Sequence, residues 1–167
     1  MKKALFFENA GLLAERFDII PLLYGSLGLE YITGEKLGAD DIDILIPEAF
    51  IKERWNELKD ALEEEGYALI DEHEHTFQKA DVHYSYASLE ELEDFAGIKL
   101  SEIKQQTEEG VTFRILSLEQ YLKVYSSSVK DGYRINVRKK KDKEKITFIK
   151  ERLKSRIFFD QFRHSFF

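Results

Sequence analysis

Cysteine is absent from this chain of 167 residues, which also holds only two prolines, four histidines and one tryptophan. Without cysteine, the protein can form neither a disulfide framework nor a thiolate site. The sequence also lacks an apolar run long enough to span a membrane. Met1-Lys2-Lys3 is followed by only a short apolar stretch, so we expect no signal peptide and a cytoplasmic protein.

Positive charge is also scarce, with 25 Lys and Arg against 32 Asp and Glu, for a net charge of −7. This balance argues against an extended nucleic-acid-binding surface. The basic residues concentrate between Arg134 and Lys145, where a charge run is most often a solvated helix face. The length predicts a single domain over residues 1–167, with a core of 1–116 and a C-terminal helical part of 117–167.

The most informative stretch of the sequence runs from Leu22 to Pro47. It contains two short apolar runs bounded by turn residues, which predict two buried strands. The first strand ends at Gly25-Ser26, and Asp41 and Asp43 stand at the start of the second. Because alternate side chains of a strand share one face, these two carboxylates are expected to lie side by side.

Two adjacent carboxylates favour a bound cation, and Mg²⁺ (or Mn²⁺) is held in proteins by one or two carboxylates plus substrate phosphates. Gly25 lets a ligand approach the backbone closely. Ser26, at the start of the next helix, can offer a hydroxyl and backbone N–H groups to a phosphate. The alternative is a simple turn followed by a solvated Asp cluster that caps a strand.

Gly-Ser, a short helix and then Asp-x-Asp on the next strand resemble the nucleotidyltransferase superfamily, most closely its small bacterial members of lincosamide-nucleotidyltransferase type. The matching residues are Gly25, Ser26, Asp41 and Asp43. The resemblance implies an α+β fold, in which a mixed β-sheet is flanked by helices and followed by C-terminal helices. It also implies Mg-dependent transfer of a nucleoside monophosphate from an NTP to a small-molecule acceptor, with Asp41 and Asp43 as catalytic metal ligands and Gly25 and Ser26 binding the nucleotide.

The resemblance further implies a third acid on a later strand, and Asp81 is the candidate for this catalytic role. If that strand starts later, the equivalent position is His83 or Ser85 and the third acid is missing; Glu74 is a weaker substitute. With the third acid missing, the alternative function is a catalytically degenerate module that binds a nucleotide or a protein partner, as an antitoxin-like component does.

The C-terminal half also resembles small nucleotidyltransferases, in which a Lys or Arg helps to hold the triphosphate. This makes Lys141 a candidate nucleotide-binding residue, and the alternative is a basic surface loop. The last eleven residues hold five phenylalanines, which are too apolar for a disordered tail. We expect them to pack on the domain or to form a homodimer.

Tyr67 to Lys79 alternates well enough to predict one long strand. His73 and His75 would then share a strand face, which permits a transition-metal site. The alternative is an ordinary polar strand face, which the absence of a further His or Cys cluster favours.

Overall fold

The computed structural model describes residues 1–130 and 136–166, which form six α-helices and seven strands. The helices are α1 Lys2–Phe17, α2 Gly25–Thr33, α3 Trp55–Glu64, α4 Glu91–Ala96, α5 Leu118–Lys130 and α6 Asn136–Phe166. The strands are β1 Leu22–Tyr24, β2 Ile42–Ile46, β3 Ala68–Asp71, β4 Thr76–Lys79, β5 Val82–Ser88, β6 Lys104–Glu108 and β7 Val111–Ile115. None of these helices has the length and the apolar composition needed to cross a membrane.

All seven strands belong to one mixed sheet with the order β3-β4-β5-β2-β1-β7-β6. β2 and β5 are parallel, as are β1 and β7, whereas the other neighbours are antiparallel. Helices flank the sheet, and α5 and α6 follow it in the chain. The predicted α+β fold with a mixed sheet and C-terminal helices is therefore confirmed.

The two faces of the sheet carry separate apolar cores, and β2 contributes to both. Ile42 and Ile44 pack with side chains of α1 and α3, whereas Leu45 belongs to a second cluster that includes α5 and Ile149 of α6. Because side chains alternate along a strand, Asp43 points to the same face as Leu45. The fold thus places α5 and α6 on the side of the sheet that bears this carboxylate.

The prediction of one long strand from Tyr67 to Lys79 is wrong, because this segment is a hairpin of β3 and β4. The backbone N–H of Glu74 donates a hydrogen bond of 3.1 Å to Oδ1 of Asp71. His75 takes a left-handed backbone conformation with φ of 51°. An Asp that hydrogen-bonds the backbone ahead of it is a turn-forming device, so His73 lies in a turn rather than on a strand face.

The sheet also contains a strand, β6, that apolar patterning does not predict. Its residues are Lys-Gln-Gln-Thr-Glu, and it pairs with β7 at one end of the sheet. Charged and polar residues are common on edge strands because they discourage pairing with another chain. The same composition removes the hydrophobic alternation on which a sequence-based prediction depends.

The C-terminal segment continues as helix α6. Ile157, Phe158 and Phe159 are 58%, 70% and 62% exposed. The side chains of Phe162, Phe166 and Phe167 are not among those that the structure describes. A homodimer formed through this segment stays a prediction.

Candidate active site

The turn between β1 and α2 lies directly against the carboxylate of Asp43. Gly25 starts α2 with a left-handed φ of 64°, and a Cβ atom built on it would overlap Oδ2 of Asp43. A residue with a side chain would therefore meet both backbone strain and a steric clash at this position. Glycine is required here because the turn and the carboxylate occupy adjoining space.

Asp41 and Asp43 stand one before and one within β2, as their spacing predicted. Asp43 is half-buried, whereas Asp41 is exposed and its Oδ1 lies 3.9 Å from Nδ1 of His83. Burial raises the pKa of Asp43, and the negative charge of Asp41 raises it further, while Lys145 and Arg138 lower it. Two oxygen-donor groups that repel each other in this way are suited to a hard divalent cation such as Mg²⁺.

The strand position beside Asp43 belongs to Ser85, not to Asp81. Ser85 is the register partner of Asp43 across the parallel pair β2 and β5, and its Oγ lies 2.8 Å from Oγ1 of Thr76. Ala80 and Asp81 form the turn between β4 and β5, with left-handed φ angles of 50° and 62°. The expectation that Asp81 lies beside Asp41 and Asp43 is therefore corrected. Asp81 is part of the tight turn, and β5 begins at Val82.

Neither Asp81 nor Glu74 completes a metal cluster. Residues 1–130 and 136–166, as far as their side chains are described, contain no group of three or more His, Cys, Asp or Glu side chains that could hold a metal ion. Asp41 and Asp43 thus form a pair of acidic side chains, with Ser85 at the neighbouring position.

Replacing Asp81 by Asn tests this corrected register. Asn tolerates a left-handed backbone, so the turn should be preserved. Because the side chain lies outside the Asp41–Asp43 pair, we expect any transferase activity of the kind that the sequence resemblance implies to stay within about twofold, as for an ordinary surface substitution. The measurement is pyrophosphate release. A loss of release as large as that caused by changing Asp43 would show that Asp81 has a catalytic role.

Helix α6 brings positive charge to the carboxylate pair. Arg138, Lys141 and Lys145 recur at helical spacing, and all three line one cavity together with Asp41 and Asp43. Lys141, the candidate that the sequence offered for nucleotide binding, lies in this cavity, and its nucleotide-binding role stays a prediction. Sequence reasoning did not single out Arg138 and Lys145, although both lie in the basic run that it had marked.

Two cavities of about 640 Å³ each meet at Asp43. Ser26, Asp43, Arg138, Asp142 and Lys145 line both of them. The first cavity continues past Ser85 to the β3–β4 turn with His73, Glu74 and His75. The second contains Asp40, Asp41 and Lys141. This arrangement leaves room for two ligands that meet at one carboxylate.

The two histidines of the β3–β4 turn, His73 and His75, contact neighbouring side chains of the fold and do not form a metal site with each other. Nε2 of His73 lies 4.0 Å from Oε1 of Glu74, and the ring of His75 packs edge-on against Trp55 with centroids 4.6 Å apart. The interpretation of these histidines as a strand face is wrong, because both stand in the turn. They form part of a cavity wall instead.

Two solved structures have a similar fold, and both are of ANT(2'')-Ia, an aminoglycoside nucleotidyltransferase. The solution structure of this antibiotic-resistance factor has a TM-score of 0.53 at 16% identity and covers 99% of this chain and 98% of its own. The crystal structure with adenylyl-2''-tobramycin has a TM-score of 0.51 at 14% identity and covers 94% of this chain and 99% of its own. The fold is therefore nucleotidyltransferase-like.

At the level of sequence, no model of a known protein family matches the chain. The chain is 37% identical over 150 residues to the uncharacterized protein YnaI of Bacillus subtilis (strain 168). The match covers 90% of this chain and 96% of the Bacillus protein. The chain therefore belongs to the same family as YnaI.

Proposed function

We propose that this protein is a Mg-dependent nucleotidyltransferase that moves a nucleoside monophosphate from an NTP to a small-molecule acceptor. The observation that carries the proposal is the meeting of Gly25, Ser26, Asp41 and Asp43 with the cations of α6 where two cavities join. The nucleotidyltransferase-like fold supports a function of this type. The lincosamide-type subgroup indicated by the sequence belongs to the same proposal.

Asp41 and Asp43 would hold Mg²⁺ (or Mn²⁺), because they present carboxylate oxygens on one strand face beside the phosphate-binding turn. When bound, such a cation neutralises phosphate charge and polarises the phosphoryl group. The pKa of Asp43, which burial and Asp41 raise, is the expected property of a carboxylate that faces a cation in its working state.

The chain's own residues would orient the triphosphate. Backbone N–H groups at Gly25 and Ser26 would donate to phosphate oxygens at the N-terminus of α2. Arg138, Lys141 and Lys145 would offset the charge of the triphosphate and of the departing pyrophosphate. In the reaction, the oxygen of an acceptor hydroxyl bonds to the α-phosphorus and its proton passes to solvent, while the bond between this phosphorus and the bridging oxygen breaks and pyrophosphate leaves.

The two-cavity arrangement supports a two-substrate reaction. The triphosphate would lie where the two cavities join, between the Gly25-Ser26 turn and Lys141, and the part of the first cavity that reaches the β3–β4 turn would take the acceptor. ANT(2'')-Ia was solved with adenylyl-2''-tobramycin, so hydroxyl-bearing small molecules are the first acceptors to test. The similarity of fold to nucleotidyltransferases does not favour the alternative of a non-catalytic module.

Thermal-shift measurements with all four NTPs, each with and without Mg²⁺, test this function. A ligand present at 100 times its Kd stabilises the folded state by about 2.7 kcal/mol, which is roughly 5–10 °C in Tm for a domain of this size. We expect such a shift for at least one NTP, only in the presence of Mg²⁺, and not for the matching nucleoside. Pyrophosphate release with a panel of acceptors then measures transfer; no Mg-dependent shift with any NTP would contradict the proposal.

A further inference from the structure

Two tyrosines of α5 reach from the core to the Gly25-Ser26 turn. Tyr121 and Tyr125 are 0% and 7% exposed, and they stand one helical turn apart. Their rings are nearly parallel, at 18°, with centroids 6.0 Å apart. Both line the cavity that contains Asp43. Packing of an apolar stripe on α5 accounts for the burial of the two rings, but it does not account for the contacts of the two hydroxyl groups.

The hydroxyl of Tyr121 donates a hydrogen bond of 3.1 Å to the carbonyl oxygen of Gly25. This carbonyl and the N–H of Ser26 belong to one planar trans peptide group, in which the two bonds point in opposite directions. By holding the carbonyl on the core side, Tyr121 aims the N–H of Ser26 away from the core. Gly28 makes this contact possible, because a Cβ there would overlap the Tyr121 hydroxyl.

Tyr125 joins the same turn to the positive charge of α6. Burial raises the pKa of Tyr125, and a hydrogen bond with the side chain of Ser26 lowers it. Nζ of Lys145 lies 5.2 Å from the centroid of its ring, within the range of a cation–π interaction. One side chain therefore fixes the Ser26 hydroxyl and supports a cation that lines both cavities.

We propose that Tyr121 and Tyr125 are positioning residues that hold the Gly25-Ser26 turn in the conformation that receives nucleotide phosphates. The inference rests on the proposed function and assigns these two core tyrosines a part in it. Tyr121 sets the direction of the Ser26 backbone N–H, and Tyr125 sets the Ser26 hydroxyl and the Lys145 ammonium. Without the two hydroxyl groups, the peptide groups of the Gly25-Ser26 turn are free to rotate, so phosphate binding weakens.

Conservative substitutions separate positioning from packing. Tyr121→Phe and Tyr125→Phe keep both rings and remove one hydroxyl each. We expect each to weaken Mg-NTP binding roughly three- to tenfold, as for the loss of one net hydrogen bond. Tyr125→Leu also removes the ring under Lys145 and should weaken binding further. Calorimetry with the NTP, its diphosphate and the nucleoside should show losses that depend on the phosphates and leave any nucleoside binding unchanged.

Tyr84→Phe is the matched control. Tyr84 is 1% exposed, its ring packs edge-on against that of Tyr67 with centroids 5.0 Å apart, and it lies in the core on the opposite face of the sheet. The Tyr84→Phe variant should have its Tm lowered about as much as the α5 variants, and its Mg-NTP affinity should be unchanged. If the wild-type chain binds Mg-NTP but both α5 Phe variants bind it equally well, this inference fails and the proposed function stands. No Mg-NTP binding by the wild-type chain would overturn both.

Discussion

Replacing Asp43 by Asn is expected to abolish Mg-dependent NTP binding and pyrophosphate release. Asp43 carries the inner carboxylate of the pair, at the junction of two cavities and against the Gly25 turn. Asn keeps the shape of the side chain but removes the charge that a divalent cation requires. Calorimetry should show that the Mg-dependent part of NTP affinity is lost.

The same substitution should leave the metal-free protein at least as stable as the wild type. The pKa of Asp43 is raised, mainly by burial, so the folded state holds this proton more tightly than the unfolded chain does. The free energy of unfolding therefore falls as pH rises through this titration, and at neutral pH the ionised carboxylate is destabilising. A neutral amide removes that destabilisation, so Tm in EDTA should be unchanged or higher.

Asp60→Asn is the control, because Asp60 is an exposed carboxylate on α3, which covers the other face of the sheet. It makes the same chemical change and should alter neither NTP binding nor turnover. Unchanged Mg-NTP affinity in Asp43→Asn would contradict the metal-binding role. A large fall in Tm of the metal-free variant would show instead that the carboxylate is needed for folding.

The part of the site that could be predicted from sequence is the part set by local signals. β1 and β2 are short apolar runs bounded by turn residues, and Gly25 and Asp43 stand where these runs end and begin. The strand period then places Asp41 and Asp43 on one face without further information. Ser117 caps α5 through an equally local signal, since its Oγ accepts a hydrogen bond of 3.1 Å from the backbone N–H of Gln120.

The position of Asp81 could not be predicted, because it depends on where a turn ends. Ala80 and Asp81 both take left-handed backbone angles, which neither residue type demands. A turn of this kind shifts the start of β5 to Val82 and places Ser85 beside Asp43. A shift of one residue in strand register turns every side chain to the other face of the sheet. The identity of the third acid therefore depends on a register that the sequence does not fix.

The contributions of α5 and α6 depend on contacts between residues far apart in the chain. Tyr121 hydrogen-bonds Gly25, which is 96 positions away in the chain, and the charge of Lys145 lowers the pKa of Asp43 over a similar separation. In the sequence, Tyr121 and Tyr125 show only helical spacing, which the packing of α5 would produce by itself. A basic run likewise predicts an exposed helix face, and the fold alone decides that this face meets a carboxylate pair.

Replacing Gly25 by Ala should also remove most NTP binding, although it adds only one methyl group. The new Cβ would overlap Oδ2 of Asp43 and lie 3.2 Å from its Cβ and Cγ, so the turn and the carboxylate must move apart. Losing the aligned phosphate donors costs about 1–3 kcal/mol, which is roughly 5- to 150-fold in Kd. Calorimetry with Mg-NTP measures the change in affinity, and thermal unfolding measures the change in stability.

Gly34→Ala separates the steric clash from backbone strain. Gly34 ends α2 with a similar left-handed φ of 74°, but a Cβ there meets nothing within 4 Å. Both variants should lose about 1 kcal/mol or more of folding free energy from the unfavourable backbone angle. Only Gly25→Ala should also lose NTP affinity, because only there does the methyl group displace a carboxylate. Equal NTP affinity in the two variants would mean that the Gly25 turn does not contact the phosphates.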